Sequence, residues 1–133
     1  MPGYAYLDAS AIVKLVVQEA ETGALERDAA TRDGLITSRL SAAEVMRAAR
    51  RIPRRRLAQQ VSDVLDSFVL VAITTPVLDA SGTMSPGELR TLDAIHLATA
   101  LSLEIPDLDF ITYDDRLARA ATAHELHVAQ PGR

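Results

Sequence analysis

Five short apolar segments alternate along the chain with longer segments in which apolar residues recur every three or four positions. The short segments have the length of β-strands, and the longer ones have the periodicity of amphipathic helices. The predicted strands cover residues 4–7, 35–37, 68–73, 109–112 and 126–128. Strands that alternate with helices indicate an α/β fold with a parallel sheet covered on both faces.

Capping residues help to place the predicted helices. Asp8 or Ser10 can cap the first helix, Thr22 the second and Ser41 the third, while Gly34 ends the second. Further helices are predicted around residues 57–65, from a Thr75 cap to about residue 82, at about 91–103, and after an Asp114 cap.

Two patterns predict which surfaces are buried. The apolar run at 68–73 is the clearest candidate for a buried strand. In the helix near residues 91–103, Leu92, Ile95, Thr99 and Leu103 follow one another at helical spacing, which predicts a single inward face.

The composition fits one globular domain over residues 1–133. Hydrophobic residues make up 48% of the sequence and are spread along it. No segment approaches the ~20 apolar residues of a membrane helix. The absence of cysteine excludes disulfides and thiolate metal sites, which leaves oxygen and imidazole ligands. No signal peptide is evident at the start of the sequence, so a cytoplasmic location is expected.

Four acidic residues lie where a predicted strand ends or a predicted helix begins: Asp8, Glu44, Asp93 and Asp114. Parallel sheets gather functional groups at the carboxyl ends of their strands, so these distant acids can meet in one pocket. Carboxylate oxygens suit hard divalent cations such as Mg²⁺. The pattern therefore predicts a metal-binding pocket.

Each acid also has a structural explanation. Asp8 and Asp114 are good helix caps, and Asp93 in a first helical turn favours the helix dipole. Glu44 stands three residues after Ser41, which matches a capping box. Asp8 and Asp114 both directly follow strands, however, and two independent caps need not share one edge of a sheet.

Four segments carry a resemblance to a known family: YLDASAIVKL at 6–15, SAAEV at 41–45, TLDAIHLATA at 91–100 and TYDDRL at 112–117. In this order and spacing they resemble the PIN-domain ribonucleases, specifically the VapC-type toxins of bacterial toxin–antitoxin pairs. The resemblance implies a three-layer α/β/α fold with a central parallel sheet of about five strands. It further implies cleavage of RNA, inhibition by a small VapB-type antitoxin, and a homodimer.

The resemblance also implies roles for the acids, which hold Mg²⁺ or Mn²⁺ in such a site. Asp8 and Asp93 are the expected principal ligands, and Asp114 completes the set or binds a second ion. Glu44 is expected to act through water or as the base when an activated water attacks the RNA phosphodiester in line. That reaction leaves a 5′-phosphate and a 3′-hydroxyl.

Other polar residues are assigned supporting roles. Ser10 and Thr112 are expected to orient carboxylates or waters through their hydroxyl groups. His96 lies one helical turn from Asp93, but a histidine between apolar neighbours is expected to be a hydrogen-bonded packing residue rather than a general base. Tyr113 is the aromatic residue expected to be free for base stacking, because the others lie in predicted strands.

Six arginines lie between Arg47 and Arg56 in a chain of net charge −4. Of these, Arg47, Arg50, Arg51 and Arg54 approximate one helix face. Three interpretations remain open: contact with RNA phosphates, contact with an acidic antitoxin segment, and a solvated helix surface.

Two competing functions follow from the same fold class. An acid-based phosphatase or phosphotransfer domain also places an aspartate after a parallel strand, but this chain has Ser10 where the phosphatase needs a second acid. Both schemes also require a late lysine, and the single lysine is Lys14. The other alternative is a non-catalytic RNA- or protein-binding module, which retention of all four acids makes less favourable.

Overall fold

The structure, a computed structural model, describes residues 3–133. Its strands are β1 (Tyr4–Leu7), β2 (Gly34–Ser38), β3 (Phe68–Val71), β4 (Asp109–Ile111) and β5 (His127–Ala129). They form one parallel sheet in the order β3-β2-β1-β4-β5. The predicted five-stranded parallel sheet is confirmed.

Seven helices connect the strands within residues 3–133. They are α1 (Ala9–Val16), α2 (Thr22–Ala30), α3 (Arg39–Arg50), α4 (Leu57–Leu65), α5 (Thr75–Gly82), α6 (Thr91–Ser102) and α7 (Asp115–Ala123). No helix in this part of the chain combines the length and apolar character needed to cross a membrane.

Alternation along β1 divides the interior into two cores, because successive strand side chains point to opposite faces of the sheet. Ala5 and Leu7 enter a core with residues of α1, α3 and α4. Tyr6 enters the other core with residues of α6 and α7, and its ring stacks on Phe110 of β4 at a centroid distance of 5.3 Å. Helices therefore cover both faces, which confirms the three-layer α/β/α fold.

The strand order places a crevice beside the central strand. From β1 the chain proceeds outward through β2 and β3, and it then returns to the other side of β1 to add β4 and β5. Leu7 pairs with Ile111, so β1 and β4 end at the same level. Ligands of open parallel sheets bind at such a switch point, outside the carboxyl ends of the strands.

Burial differs from prediction at two places. The strand near 68–73, expected to be the clearest buried one, is the edge strand β3, and its Val69 is 60% exposed. Sheet order rather than apolar content decides burial there. Leu92, expected on an inward face, is 47% exposed, because α6 buries a continuous band from Ala94 to Ala100 rather than one stripe.

Helix starts also differ from prediction at three places. Ser38, not Ser41, caps α3 by accepting a hydrogen bond from the Leu40 N–H, and Thr74 rather than Thr75 caps α5. Thr22 is the first residue of α2 rather than its cap.

Gly34 is the first residue of β2 and does not end the preceding helix, which stops at Ala30. A β-carbon at this position would lie 2.7 Å from the Tyr4 ring. A side chain at position 34 would therefore require the Tyr4 ring to move.

Candidate active site

The first part of the site is built by the paired ends of β1 and β4. Asp8 follows β1 directly, and its backbone N–H donates to the Ile111 carbonyl at 3.2 Å. Thr112 follows β4, and Asp114 comes two residues later as the cap of α7. The shared sheet edge predicted for Asp8 and Asp114 is what the structure shows.

Asp8 is a buried carboxylate fixed by three hydrogen bonds. Its Oδ1 accepts from the Ser10 hydroxyl at 2.7 Å and from the Ala11 N–H at 3.1 Å, and its Oδ2 accepts from the Thr112 hydroxyl at 2.7 Å. Burial raises the pKa of Asp8, while the Ser10 hydrogen bond lowers it. Since each carboxylate oxygen can accept two hydrogen bonds, Oδ2 retains one acceptor position.

Thr112 and Ser10 also tie Asp8 to the second strand end. The Thr112 hydroxyl oxygen accepts from the Asp114 N–H at 3.1 Å, and the Ser10 hydroxyl oxygen accepts from the Tyr113 N–H at 3.0 Å. The Ser10 and Thr112 hydroxyls therefore contact both the Asp8 carboxylate and the turn that carries Asp114.

Asp93 and Asp114 form a second, more open part of the site. The Arg90 guanidinium lies between them, with Nε 3.5 Å from Asp93 Oδ2 and Nη2 3.4 Å from Asp114 Oδ2. Burial raises the pKa of Asp93, and the negative charge of Asp114 raises it further. The Arg90 side chain is 69% exposed, so it neutralises this pair from the solvent side.

Sequence reasoning missed the role of Arg90. A signal was present, since Arg90 stands three residues before Asp93, and an arginine at that spacing on a helix can reach the carboxylate. Its contact with Asp114 depends instead on how α6 and α7 pack, which the sequence pattern does not reveal.

Glu44 enters the site from α3 and is held by His96. Glu44 Oε1 lies 2.6 Å from His96 Nε2, and His96 Nδ1 lies 2.7 Å from the Tyr6 hydroxyl. The prediction of His96 as a hydrogen-bonded packing residue is confirmed, but its contact with Glu44 was not foreseen.

The capping-box explanation of Glu44 is wrong. Ser41 lies inside α3, and its hydroxyl pairs with the Thr37 hydroxyl at 2.6 Å instead of capping the helix. Glu44 is therefore free of the local role that competed most strongly with a functional one.

Tyr113 is not available for base stacking. It is buried, and its hydroxyl donates to the Pro131 carbonyl at 2.7 Å. The Lys14 ammonium and the Arg133 guanidinium lie 4.8 Å and 5.5 Å from the centroid of its ring. Gln130 also donates to the Thr112 carbonyl at 3.0 Å. Residues 130–133 thus pack against the turn that carries Asp114.

The four acids have the chemistry of a divalent-cation site, although they do not form a closed cage. Across residues 3–133 no group of three carboxylate or imidazole side chains is arranged as a set of metal ligands. Mg²⁺, however, is commonly held by one or two carboxylates and retains several waters. The Asp93–Asp114 pair, now bridged by a guanidinium, and the remaining acceptor position of Asp8 fit such an ion.

The arginine cluster begins one helical turn beyond Glu44 and extends away from it. Arg47, Arg50, Arg51 and Arg54 are exposed, and none of them forms an ion pair within the described chain. Arg50 is six residues beyond Glu44 on α3, about 9 Å along the helix axis. No ion pair therefore connects these four arginines to another part of the described fold.

A groove lies closer to the acids. It has a volume of about 650 Å³ and runs between the loop of residues 83–90 and α7. Leu89, Pro86 and Ala120 contribute apolar surface, while Arg116 and Arg119 stand exposed at its side. Arg116 is also adjacent to the site, since its N–H donates to Asp114 Oδ1 at 2.9 Å.

Comparison with known families agrees with this architecture. Residues 5–123 match the family model described as the PIN domain. Ribonuclease VapC46 of Mycobacterium tuberculosis is 47% identical over 133 residues, which cover 95% of this chain and 96% of the relative. The chain belongs to the PIN-domain family of VapC ribonucleases. The resemblance carried by the four sequence segments is thus confirmed.

Further relatives extend this family assignment. Ribonuclease VapC47 of Mycobacterium tuberculosis is 34% identical, with 96% of both chains covered. Among solved structures, Mycobacterium tuberculosis VapC20, described as a sarcin-ricin loop cleaving toxin, superposes with a TM-score of 0.73 at 17% identity, covering 87% of this chain and 94% of that one. A toxin–antitoxin complex from Klebsiella pneumoniae gives 0.72 at 23% identity, with 96% and 97% covered. These two structures share the fold of the family.

Proposed function

We propose that this protein is a metal-dependent endoribonuclease toxin that hydrolyses RNA phosphodiester bonds and is inhibited by a cognate VapB-type antitoxin. The observation that supports the proposal is that Asp8 and Asp114 follow the paired ends of β1 and β4, while Asp93 and Asp114 both lie against the Arg90 guanidinium. Buried and neighbouring carboxylates repel one another, and a divalent cation relieves that repulsion. The names of the curated relatives support the ribonuclease activity.

The residues that would hold Mg²⁺ or Mn²⁺ are Asp93, Asp114 and Asp8. When bound, such an ion neutralises phosphate charge and makes a water more acidic. Asp8 is preoriented by Ser10 and Thr112, whereas Asp93 and Asp114 become available when Arg90 moves toward the solvent. Glu44 uses Oε1 to accept from His96 and keeps Oε2 to orient or deprotonate the attacking water.

The groove beside Asp114 is the proposed path of the RNA strand. Arg116 and Arg119 supply positive charge for phosphates, and the apolar surface suits a base. Replacing both arginines with glutamate is expected to raise the KM for RNA and to leave kcat nearly unchanged. The same exchange at Arg50 and Arg51 tests the arginine cluster, for which RNA, antitoxin and solvent remain the three interpretations.

Antitoxin binding and dimerisation complete the proposal. Toxin–antitoxin complexes among the structural relatives support an antitoxin partner. Exposed apolar side chains at Ile73, Leu78 and Leu92 offer surface for a homodimer. The oligomeric state and the antitoxin-bound state can both be measured by light scattering of the purified proteins.

The decisive experiment sequences the RNA ends produced by the wild-type protein and by an Asp8→Asn control, with Mg²⁺ or with a chelator. We expect new 5′-phosphate ends from the wild-type protein with Mg²⁺ alone. Equal cleavage by the Asp8→Asn variant would identify a contaminating nuclease. RNA binding without cleavage, unaffected by chelator, would instead indicate a non-catalytic binding module.

A further inference from the structure

A buried hydrogen-bonded chain runs from the central strand to the candidate base. It links the Tyr6 hydroxyl of β1 to His96 Nδ1 of α6 at 2.7 Å, and His96 Nε2 to Glu44 Oε1 of α3 at 2.6 Å. Tyr6 and His96 are almost completely inaccessible to solvent, whereas the Glu44 side chain is 24% exposed. This series of hydrogen bonds therefore begins in the core at Tyr6 and ends at the partly exposed Glu44 carboxylate.

The chemistry of the three groups fixes the direction of the hydrogen bonds for a neutral imidazole. An ionised carboxylate only accepts, so His96 Nε2 must carry the proton that is donated to Glu44. Nδ1 is then an acceptor, and the Tyr6 hydroxyl donates to it. A tyrosine hydroxyl keeps its proton at neutral pH, so Tyr6 can serve as this donor.

Packing alone does not account for this arrangement. The Tyr6 ring already stacks on Phe110, and a phenylalanine at position 6 would keep that contact. Burying a hydroxyl and an imidazole costs free energy unless both are hydrogen-bonded. The Tyr6 hydroxyl and His96 Nδ1 form a hydrogen bond with each other. The remaining N–H of the imidazole, at Nε2, is directed at Glu44.

We propose that Tyr6 and His96 are positioning residues that hold the Glu44 carboxylate in a single orientation, with Oε1 occupied and Oε2 directed to the reacting water. This role rests on the proposed ribonuclease function. Glu44 has no competing hydrogen bond among the described residues, so its orientation depends on this chain. Tyr6 acts through His96 by fixing the ring and its tautomer.

Two variants of His96 separate positioning from packing. His96→Asn removes the donor at the Nε2 position, and we expect kcat for RNA cleavage to fall about 10- to 100-fold with an unchanged KM, as is usual for groups that orient a ligand or base. His96→Gln places an amide N–H near the Nε2 position and is expected to restore part of kcat. Equal kcat values for both variants and the wild-type protein would overturn the role.

Tyr6→Phe keeps the ring and its packing but removes the hydroxyl that donates to His96 Nδ1. We expect a smaller fall in kcat, again without a change in KM. Long-range ¹H–¹⁵N NMR of the His96 imidazole should show the Nε2–H tautomer in the wild-type protein and a mixture in Tyr6→Phe. An Nδ1–H tautomer in the wild-type protein, or an unchanged kcat in Tyr6→Phe, would contradict the proposal.

Thr99→Val is the matched control on the same helix. Thr99 is buried, and its hydroxyl donates to the Ile95 carbonyl and forms no hydrogen bond with Glu44. We expect this variant to leave kcat unchanged, and a fall equal to that of His96→Asn would show that α6 packing is the cause. Absence of cleavage by the wild-type protein would overturn the proposed function together with this role, whereas cleavage with unchanged kcat in the His96 and Tyr6 variants overturns the role alone.

Discussion

The two parts of the acidic site are held in different ways. Asp8 is buried and receives three hydrogen bonds from side chains and backbone that belong to the fold itself. Asp93 and Asp114 are instead brought together around the exposed Arg90 guanidinium. Asp8 is the fixed part of the site, because the fold orients it whether or not a cation is bound. Asp93 and Asp114 are the adjustable part, because their arrangement depends on the cation that lies between them.

Neutralisation by Arg90 allows two neighbouring carboxylates to stay in place when no metal ion is bound. Like charges within a few ångströms destabilise a protein, and the Arg90 guanidinium reduces that cost. Because Arg90 lies on the solvent side, it can leave without disturbing the core. The fixed and adjustable parts can therefore be separated by mutation.

The largest expected effect is at the fixed part. Asp8→Asn removes a buried charge aimed at the cation, and we expect kcat to fall on the order of 10²- to 10³-fold, the size found for loss of a preorganised electrostatic group. Rates of RNA cleavage at saturating Mg²⁺ measure this. Asp109→Asn is the matched control, because Asp109 pairs with Arg32 and His127 at the opposite end of β4. Its kcat should equal that of the wild-type protein even if its stability falls.

The second effect concerns the link between the two parts. Thr112→Val keeps the side-chain shape but removes a donor to Asp8 Oδ2 and an acceptor for the Asp114 N–H. We expect a loss of stability of about 1–3 kcal/mol from the unsatisfied buried groups. A fall in kcat of about 10- to 100-fold should accompany it. Urea unfolding measures the loss of stability, and RNA cleavage rates measure the fall in kcat. If both quantities equal those of the wild-type protein, the hydrogen bonds of the Thr112 hydroxyl are dispensable.

Much of this site follows from the sequence, but not all of it. Asp8 and Asp114 could be placed because each lies just after a predicted strand, and parallel strands end at a common edge. Glu44 and Asp93 joined them because each lies near a predicted helix start, and the family resemblance then implied roles for all four. The links through Arg90 and His96 could not be derived, since they depend on how α3, α6 and α7 pack. Ser38 and Ser41 are equally good caps by residue type, and only the burial of Ser41 against Thr37 decides between them.

The third effect tests the adjustable part through pH. Because the pKa of Asp93 is raised from its ordinary value of 3.8, the folded protein holds this proton more tightly than the unfolded chain does. The resulting stability is present below pH 3.8 and is lost as the pH rises through the raised pKa. In chelator, Asp93→Asn should therefore gain stability relative to the wild-type protein as pH increases. Thermal unfolding across pH 3 to 7 measures the difference, and a constant difference would contradict the raised pKa.

The smallest effect is expected at Arg90. Arg90→Ala removes the cation that competes with a metal ion, and an exposed ion pair contributes about 0.2–1 kcal/mol. Mg²⁺ should therefore bind about 1.4- to five-fold more tightly, with Arg90→Lys intermediate. Isothermal titration calorimetry measures the Kd. Weaker Mg²⁺ binding by Arg90→Ala would show that Arg90 supports the metal site instead of occupying it.

The packing of residues 130–133 against Tyr113 has a consequence for control of the candidate site. These residues share hydrogen bonds with the turn that carries Thr112 and Asp114, although they are distant in sequence from Asp8 and Asp93. Substitutions that remove these contacts would loosen the sheet edge of the candidate site and leave every acid in place. The segment is thus a point from which the site can be altered without contact with any of its acids.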